Sequence, residues 1–84
     1  MGWQIYIIEC RDGSLYTGIT IDLEKRLAAH NDGRGAKYTT FRRPVQLVYR
    51  EGAANRSEAS KREHAIKKLN RSEKLALCAK QDGL

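Results

Sequence analysis

Cysteine is scarce in this chain, proline is almost absent, and no hydrophobic run is long. The two cysteines, Cys10 and Cys78, lie far apart, and with two histidines, His30 and His64, they make no ligand spacing of a zinc finger. The plain reading is a pair of reduced, mostly buried thiols in an intracellular protein. No apolar stretch approaches the roughly 18 residues of a membrane span, and no basic-then-apolar leader opens the chain. A cytoplasmic location with no membrane partner is therefore expected. At 84 residues the chain makes one domain, 1–84, with a modest core. A chain of that size buries only about 60–65 % of its surface, which leaves no room for long disordered insertions.

What is present in excess is positive charge. Sixteen Lys and Arg against ten Asp and Glu leave a net charge of +6, which favours a polyanionic partner, nucleic acid first. A hydrophobic share of 40 % and a charged share of 31 % are ordinary for a soluble globular protein, so composition alone carries the reading no further.

The order of elements is β-β-α-β-α-α. Residues 3–10, "WQIYIIEC", are rich in aromatic and β-branched types and read as a strand. Arg11-Asp12-Gly13-Ser14 is a turn, and Leu15 to Ile19 form the partner strand. Asp22 caps a helix with Leu23, Leu27 and Ala28 on one stripe, which ends near Asn31, before Gly33 and Gly35. Residues 31–44, "NDGRGAKYTTFRRP", form a basic loop, and Pro44 opens a third strand on which Val45, Leu47 and Tyr49 share a face. Asn55-Arg56-Ser57-Glu58 and Asn70-Arg71-Ser72-Glu73 are two capping-box starts for two further helices. The expected class is α+β, with a small, three-stranded, mainly antiparallel sheet flanked by helices.

The hairpin register decides where Tyr6 and Tyr16 point. A two-residue Asp12-Gly13 turn pairs Tyr6 with Ile19 and sends the two phenols to opposite faces. A three-residue Arg11-Asp12-Gly13 loop, with Gly13 in the left-handed region, pairs Tyr6 with Gly18 and puts both on one face. Asp-Gly suits either loop; the three-residue loop is the expectation adopted.

Other residues invite chemistry. Arg26 and His30 stand at i, i+4 beside the Leu23/Leu27 stripe, and a guanidinium there suits a phosphate as well as it suits solvent or a weak pair with Asp22. Glu63 falls on the stripe that Ala59 and Ile66 use to face the core, where a carboxylate is costly unless paired or bound to a metal. A pair with Lys67 would explain its charge but not its position. His64 lies further round, among lysines and arginines, and reads as solvated surface.

Together these residues resemble the GIY-YIG nuclease superfamily, and look closest to its small single-domain bacterial members. Gln4-Ile5-Tyr6 matches the first signature and Tyr16-Thr17-Gly18 the second. Arg26 in "LEKRLAAH", Glu63 in "SEASKREHAIKKL", and the strings "DGSLYTG", "GAKYT" and "KKL.RSEK" extend the match over nearly the whole chain. Gln4 and Thr17 depart from the motif letters, Ile19 stands where some members carry lysine, and Asn70 is a loose counterpart of a downstream asparagine. The resemblance implies hydrolysis of DNA phosphodiesters by a metal-dependent endonuclease. The catalytic residues it implies are Tyr6, Tyr16, Arg26, His30 and Glu63. Tyr6 would be the general base or orient the water, Tyr16 would bond in the same site, and Arg26 would stabilise phosphorane charge. His30 would assist proton transfer, and Glu63 would be the ligand of one weakly held Mg²⁺ or Mn²⁺ ion.

Arg34, Lys37, Tyr38, Arg42 and Arg43 of the basic loop, with Phe41 among them, are expected to hold nucleic-acid phosphates and stack unpaired bases. With no room for a separate DNA-binding domain, single-stranded, nicked or branched DNA is the expected substrate, in repair or recombination, for a monomer or weak homodimer. The alternatives are a non-catalytic nucleic-acid-binding module that keeps the fold, and a protein-interaction module whose charge is incidental.

Overall fold

The computed structural model describes residues 2–80. Its centre is β1 (Trp3–Glu9), on which Ile5, Tyr6, Ile7 and Ile8 are all buried in succession. Four consecutive buried residues on one strand require cover on both faces. β1 is the middle strand of an antiparallel sheet, between β2 (Leu15–Thr20) and β3 (Gln46–Ala53). On one face Tyr6, Ile8 and Cys10 pack with Leu23 and Leu27 of α1 (Leu23–Asn31) and with Val45. On the other, Ile5, Ile7 and Tyr49 pack with Ala59 and Ile66 of α3 (Arg56–Lys67) and with Leu77 of α4 (Arg71–Ala79). The α+β fold with a three-stranded antiparallel sheet is as the sequence led us to expect, and Cys10 and Cys78 are both free thiols.

The hairpin uses the three-residue loop. Cys10 N–H donates to Ser14 O at 2.8 Å, Gly13 N–H donates to Cys10 O at 2.9 Å, and Gly13 has φ +85°. Tyr6 then pairs with Gly18 and Ile8 with Tyr16, so the two tyrosines share the α1 face. Asp12 braces the turn by accepting from Ser14 N–H at 3.0 Å and Ser14 Oγ at 2.6 Å, and it holds Arg42 Nε at 3.2 Å.

Side-chain caps start three helices as read. Asp22 accepts from Lys25 N–H at 3.1 Å, Asn55 from Glu58 N–H at 2.9 Å, and Asn70 from Glu73 N–H at 2.8 Å. The reciprocal bond of a full capping box forms at α4, where Asn70 N–H donates to Glu73 at 2.9 Å. At α3 Glu58 turns instead to Lys61, at 3.8 Å.

The structure corrects three details. The basic loop contains one helical turn, α2 (Lys37–Thr40), because the N–H groups of Thr39 and Thr40 converge on Ala36 O and the Thr40 hydroxyl bonds the same carbonyl at 2.9 Å. Val45 and Leu47 do share a face, but Tyr49 lies on the opposite one. A bulge at Val48, between the pairs Ile8–Leu47 and Ile7–Tyr49, reverses the alternation. Ala28 is exposed, and His30 instead joins Leu23 on the buried side of α1.

Gly13→Ala should cost about 1–2 kcal/mol, since a Cβ residue is forced into the left-handed region. Gly52→Ala, whose added Cβ meets nothing within 4 Å, is the control. Urea midpoints of the two variants, compared with wild type, measure this; equal midpoints would contradict the turn assignment.

Candidate active site

The Tyr6 ring folds across β2 directly over Gly18. A Cβ at Gly18 would lie 2.5 Å from Tyr6 Oη and 2.7 Å from Cζ, so the glycine of the second signature is there to admit the phenol of the first. The hydroxyl so placed lies 2.8 Å from His30 Nε2. His30 is fully buried, and its Nδ1 lies 2.9 Å from Oγ1 of the equally buried Thr39. Thr39 Oγ1 in turn donates its only hydrogen to Ala36 O at 3.1 Å. With the Thr39 hydroxyl hydrogen assigned to Ala36 O, Thr39 offers the ring its lone pairs; the imidazole proton is then assigned to Nδ1, and Nε2 accepts from the Tyr6 hydroxyl. Gly35 closes the far side of the imidazole, where a Cβ would overlap Nδ1 and Cγ.

Arg26 reaches the same phenol oxygen. Its Nε donates to Tyr6 Oη at 3.4 Å and its Nη2 to Gly35 O at 2.9 Å, which aims the guanidinium along the site rather than at Asp22. Beside it a cleft of about 390 Å³ is lined by Thr20, Ile21, Asp22, Lys25, Arg26 and Ala29. Tyr16 stands edge-on to His30, ring centres 5.3 Å apart, and stacks on Tyr38 at 5.9 Å. Arg42 lies over the Tyr38 ring at 4.1 Å.

Glu63 lies on α3 between the buried Ala59 and Ile66. Its side chain is 23 % exposed and pairs with Lys67 at 3.3 Å; burial raises the pKa of Tyr6, and the charge of Glu63 adds the smallest share of that rise. The pair with Lys67 and the inward position thus coexist.

A family model described as the GIY-YIG catalytic domain matches residues 2–76. The chain belongs to the GIY-YIG family. A UPF0213 protein of Staphylococcus saprophyticus is 60 % identical over 73 residues, covering 87 % of this chain and 89 % of that one. A UPF0213 protein of Clostridium perfringens is 59 % identical, over 87 % of this chain and 78 % of its own. The solution structure of UPF0213 protein BH0048 from Bacillus halodurans aligns with 99 % of this chain and 88 % of its own, at a TM-score of 0.63 and 41 % identity.

Of the GIY-YIG residues expected from sequence, the structure brings Tyr6, Tyr16, Arg26 and His30 into one contact network, with Glu63 within electrostatic reach. Tyr38 joins it through Tyr16, and Lys37 is exposed at the start of the same helical turn. The arginines of the loop have partners of their own, and Arg42 also donates to Tyr38 O at 2.7 Å. Arg34 pairs with Asp32 at 2.8 Å, Arg42 with Asp12, and Arg43 donates to Thr40 O at 2.7 Å. Thr39, Gly35 and Lys25 were missed. Gly35 and Thr39 are the two ends of the string "GAKYT", whose only sequence signal was the family resemblance.

Burial and Arg26 set the two proton affinities. Burial raises the Tyr6 pKa above its ordinary value, and Arg26 opposes that only in part, so at neutral pH the residue is a phenol. Burial first, and Arg26 second, push His30 down to about 4, so it is a neutral imidazole. Between pH 6.5 and about 4 the unfolded chain binds a proton at His30 that the folded chain refuses. Stability contributed by this residue is therefore complete above pH 6.5 and falls as the pH drops toward 4, by at most about 3 kcal/mol. Urea titrations from pH 7 to 4.5 should show that decline in wild type and a shallower one in His30→Gln. Parallel curves would contradict a buried neutral imidazole.

Proposed function

We propose that this chain is a divalent-metal-dependent endonuclease that hydrolyses DNA phosphodiesters, with single-stranded, nicked or branched DNA preferred over plain duplex. The observation that carries this reading is the convergence of His30 Nε2 and Arg26 Nε on one phenol oxygen, that of Tyr6, at 2.8 and 3.4 Å. A structural tyrosine needs one partner; one that gives its hydrogen to a buried base while facing a cation is arranged for proton transfer.

In this reading the scissile phosphate enters the cleft beside Arg26 and Lys25. Tyr6 Oη accepts a proton from the attacking water as its own hydrogen passes to His30 Nε2. Thr39 Oγ1 keeps Nδ1–H in place throughout, so the imidazolium that forms retains both hydrogen bonds. Arg26 offsets the charge that develops on the phosphorane oxygens. The second cause of His30's low proton affinity is Arg26, and a bound phosphate partly neutralises it. His30 thus becomes a better acceptor when substrate is present. Tyr16 holds the edge of the imidazole and links the site to Tyr38.

Glu63 would hold the Mg²⁺ or Mn²⁺ ion. One partly buried carboxylate on α3, whose charge bears on Tyr6, suits a hard cation completed by water and phosphate oxygens. When bound, the ion supplies Lewis-acid stabilisation of phosphate charge and of the leaving oxygen. Lys37, Arg34, Arg42 and Arg43 add positive surface for the strand, and Tyr38 adds an aromatic face. The reading includes a cytoplasmic domain spanning 1–84, monomeric or weakly dimeric, acting in repair or recombination.

Wild type, Tyr6→Phe, Thr39→Val and Glu63→Gln should be compared on labelled single-stranded, branched and duplex DNA with Mg²⁺ or Mn²⁺. Tyr6→Phe should lower cleavage by about 10²–10⁴-fold, the range of a lost general acid–base group. Thr39→Val should lower it less, and Glu63→Gln should remove the response to metal. Equal cleavage by wild type and Tyr6→Phe would overturn the site. DNA binding by wild type with no cleavage on any substrate would favour the non-catalytic module.

A further inference from the structure

Phe41 is 84 % exposed, the most exposed of the described large apolar side chains. It lines a cleft of about 580 Å³ together with Arg11, Asn31, Thr40, Arg43 and Pro44, a wall with two guanidinium groups and no carboxylate. Arg43 is fixed there: Nε donates to Thr40 O at 2.7 Å and Nη1 to Asn31 O at 3.4 Å, and the group lies flat on Gly33, where a Cβ would be 3.0 Å from Nη1. Arg11 is the reverse case. Its backbone N–H is tied to Arg42 O at 2.9 Å, which locks the hairpin turn to this loop, while its side chain has no hydrogen-bond or ion-pair partner among the described residues.

The cleft is also placed next to the chemistry. Thr39, which holds His30, is two residues before Phe41, and Asn31 follows His30 directly. Two residues of chain span about 7 Å at most. An exposed aromatic ring between two cations matches an unpaired nucleotide: every base offers a π face, and its flanking phosphates answer the guanidinium groups. A protein partner would need a wider apolar patch than one ring.

We propose that the cleft between Arg11, Phe41 and Arg43 is a second nucleotide site, which stacks one unpaired base on Phe41 and holds its flanking phosphates with Arg11 and Arg43. The proposal rests on the nuclease reading and extends it. It would give the preference for unpaired strands proposed above, because a base inside a duplex cannot reach the ring.

The test is fluorescence anisotropy of a labelled oligothymidylate in metal-free buffer, so that binding is read without cleavage. Phe41→Ala should weaken binding about tenfold, and Phe41→Trp should restore it. A strand of the same length with abasic sites throughout should bind all three proteins alike. Arg11→Ala should weaken binding to both strands equally and flatten the dependence on salt by about one phosphate contact. Because Phe41 is exposed, its variants should melt with wild type by circular dichroism. Unchanged affinity of Phe41→Ala for oligothymidylate, or an equal loss on the abasic strand, would overturn the base site. If Tyr6→Phe still abolishes cleavage in that case, the nuclease reading stands and only this site falls. A wild type that neither binds nor cleaves DNA overturns both.

Discussion

The hydrogen bond from Tyr6 Oη to His30 Nε2, 2.8 Å long and wholly buried, ties the three parts of this small domain to one another. It joins the central strand to the first helix, and through Thr39 it joins that helix to the basic loop. Each neighbour is shaped to permit it. The three-residue turn sets the register that brings Gly18 opposite Tyr6, Gly18 leaves space for the ring, and Gly35 leaves space for the imidazole. A two-residue turn would shift the register by one, pairing Tyr6 with Ile19 instead of Gly18 and sending Tyr16 to the other face of the sheet.

The arrangement has a thermodynamic cost that an inert core would not carry. An imidazole beside an arginine, out of water, resists protonation and opposes folding in acid. The phenol beside it resists ionisation because it too is out of water, a rise that Arg26 opposes only in part. The pair is therefore held neutral but hydrogen-bonded, poised between two proton positions, with one cation to bias it. On the opposite face of the sheet the sequence spends its apolar residues on ordinary packing of Ile5, Ile7, Tyr49, Ala59 and Ile66. The Tyr6 face combines the hydrogen-bonded network with a second core of Ile8, Cys10, Leu23 and Val45, and Glu63 on α3 acts on that face through its charge.

Local chemistry in the sequence was informative wherever one residue decides a local outcome. Asp22, Asn55 and Asn70 each mark a helix start because a short acceptor must satisfy a free N–H. The Arg11-Asp12-Gly13 loop could be weighed because Gly tolerates positive φ. Glu63 stood out because a carboxylate had fallen on an apolar stripe. What stayed hidden depends on contacts between distant residues. The bulge at Val48 has no letter of its own and turns Tyr49 to the other face. Threonine at 39 is as common in a loop as in a site, and only the fold shows that its hydroxyl meets His30. Counting arginines overstated the free charge of the loop, since Arg34 and Arg42 have acidic partners in or beside it. Arg11, on the hairpin turn, became relevant only once that turn was found against Arg42.

The account stands on the proton order Tyr6 O–H to His30 Nε2, with His30 Nδ1–H to Thr39. The ¹⁵N chemical shifts of the His30 imidazole, recorded by two-bond ¹H–¹⁵N correlation on labelled protein, report that order directly. The account predicts a neutral ring at pH 7, protonated at Nδ1 and bare at Nε2, that stays so until the pH approaches about 4. A ring protonated at Nε2, or one that titrates near the ordinary histidine value of about 6.5, would contradict it.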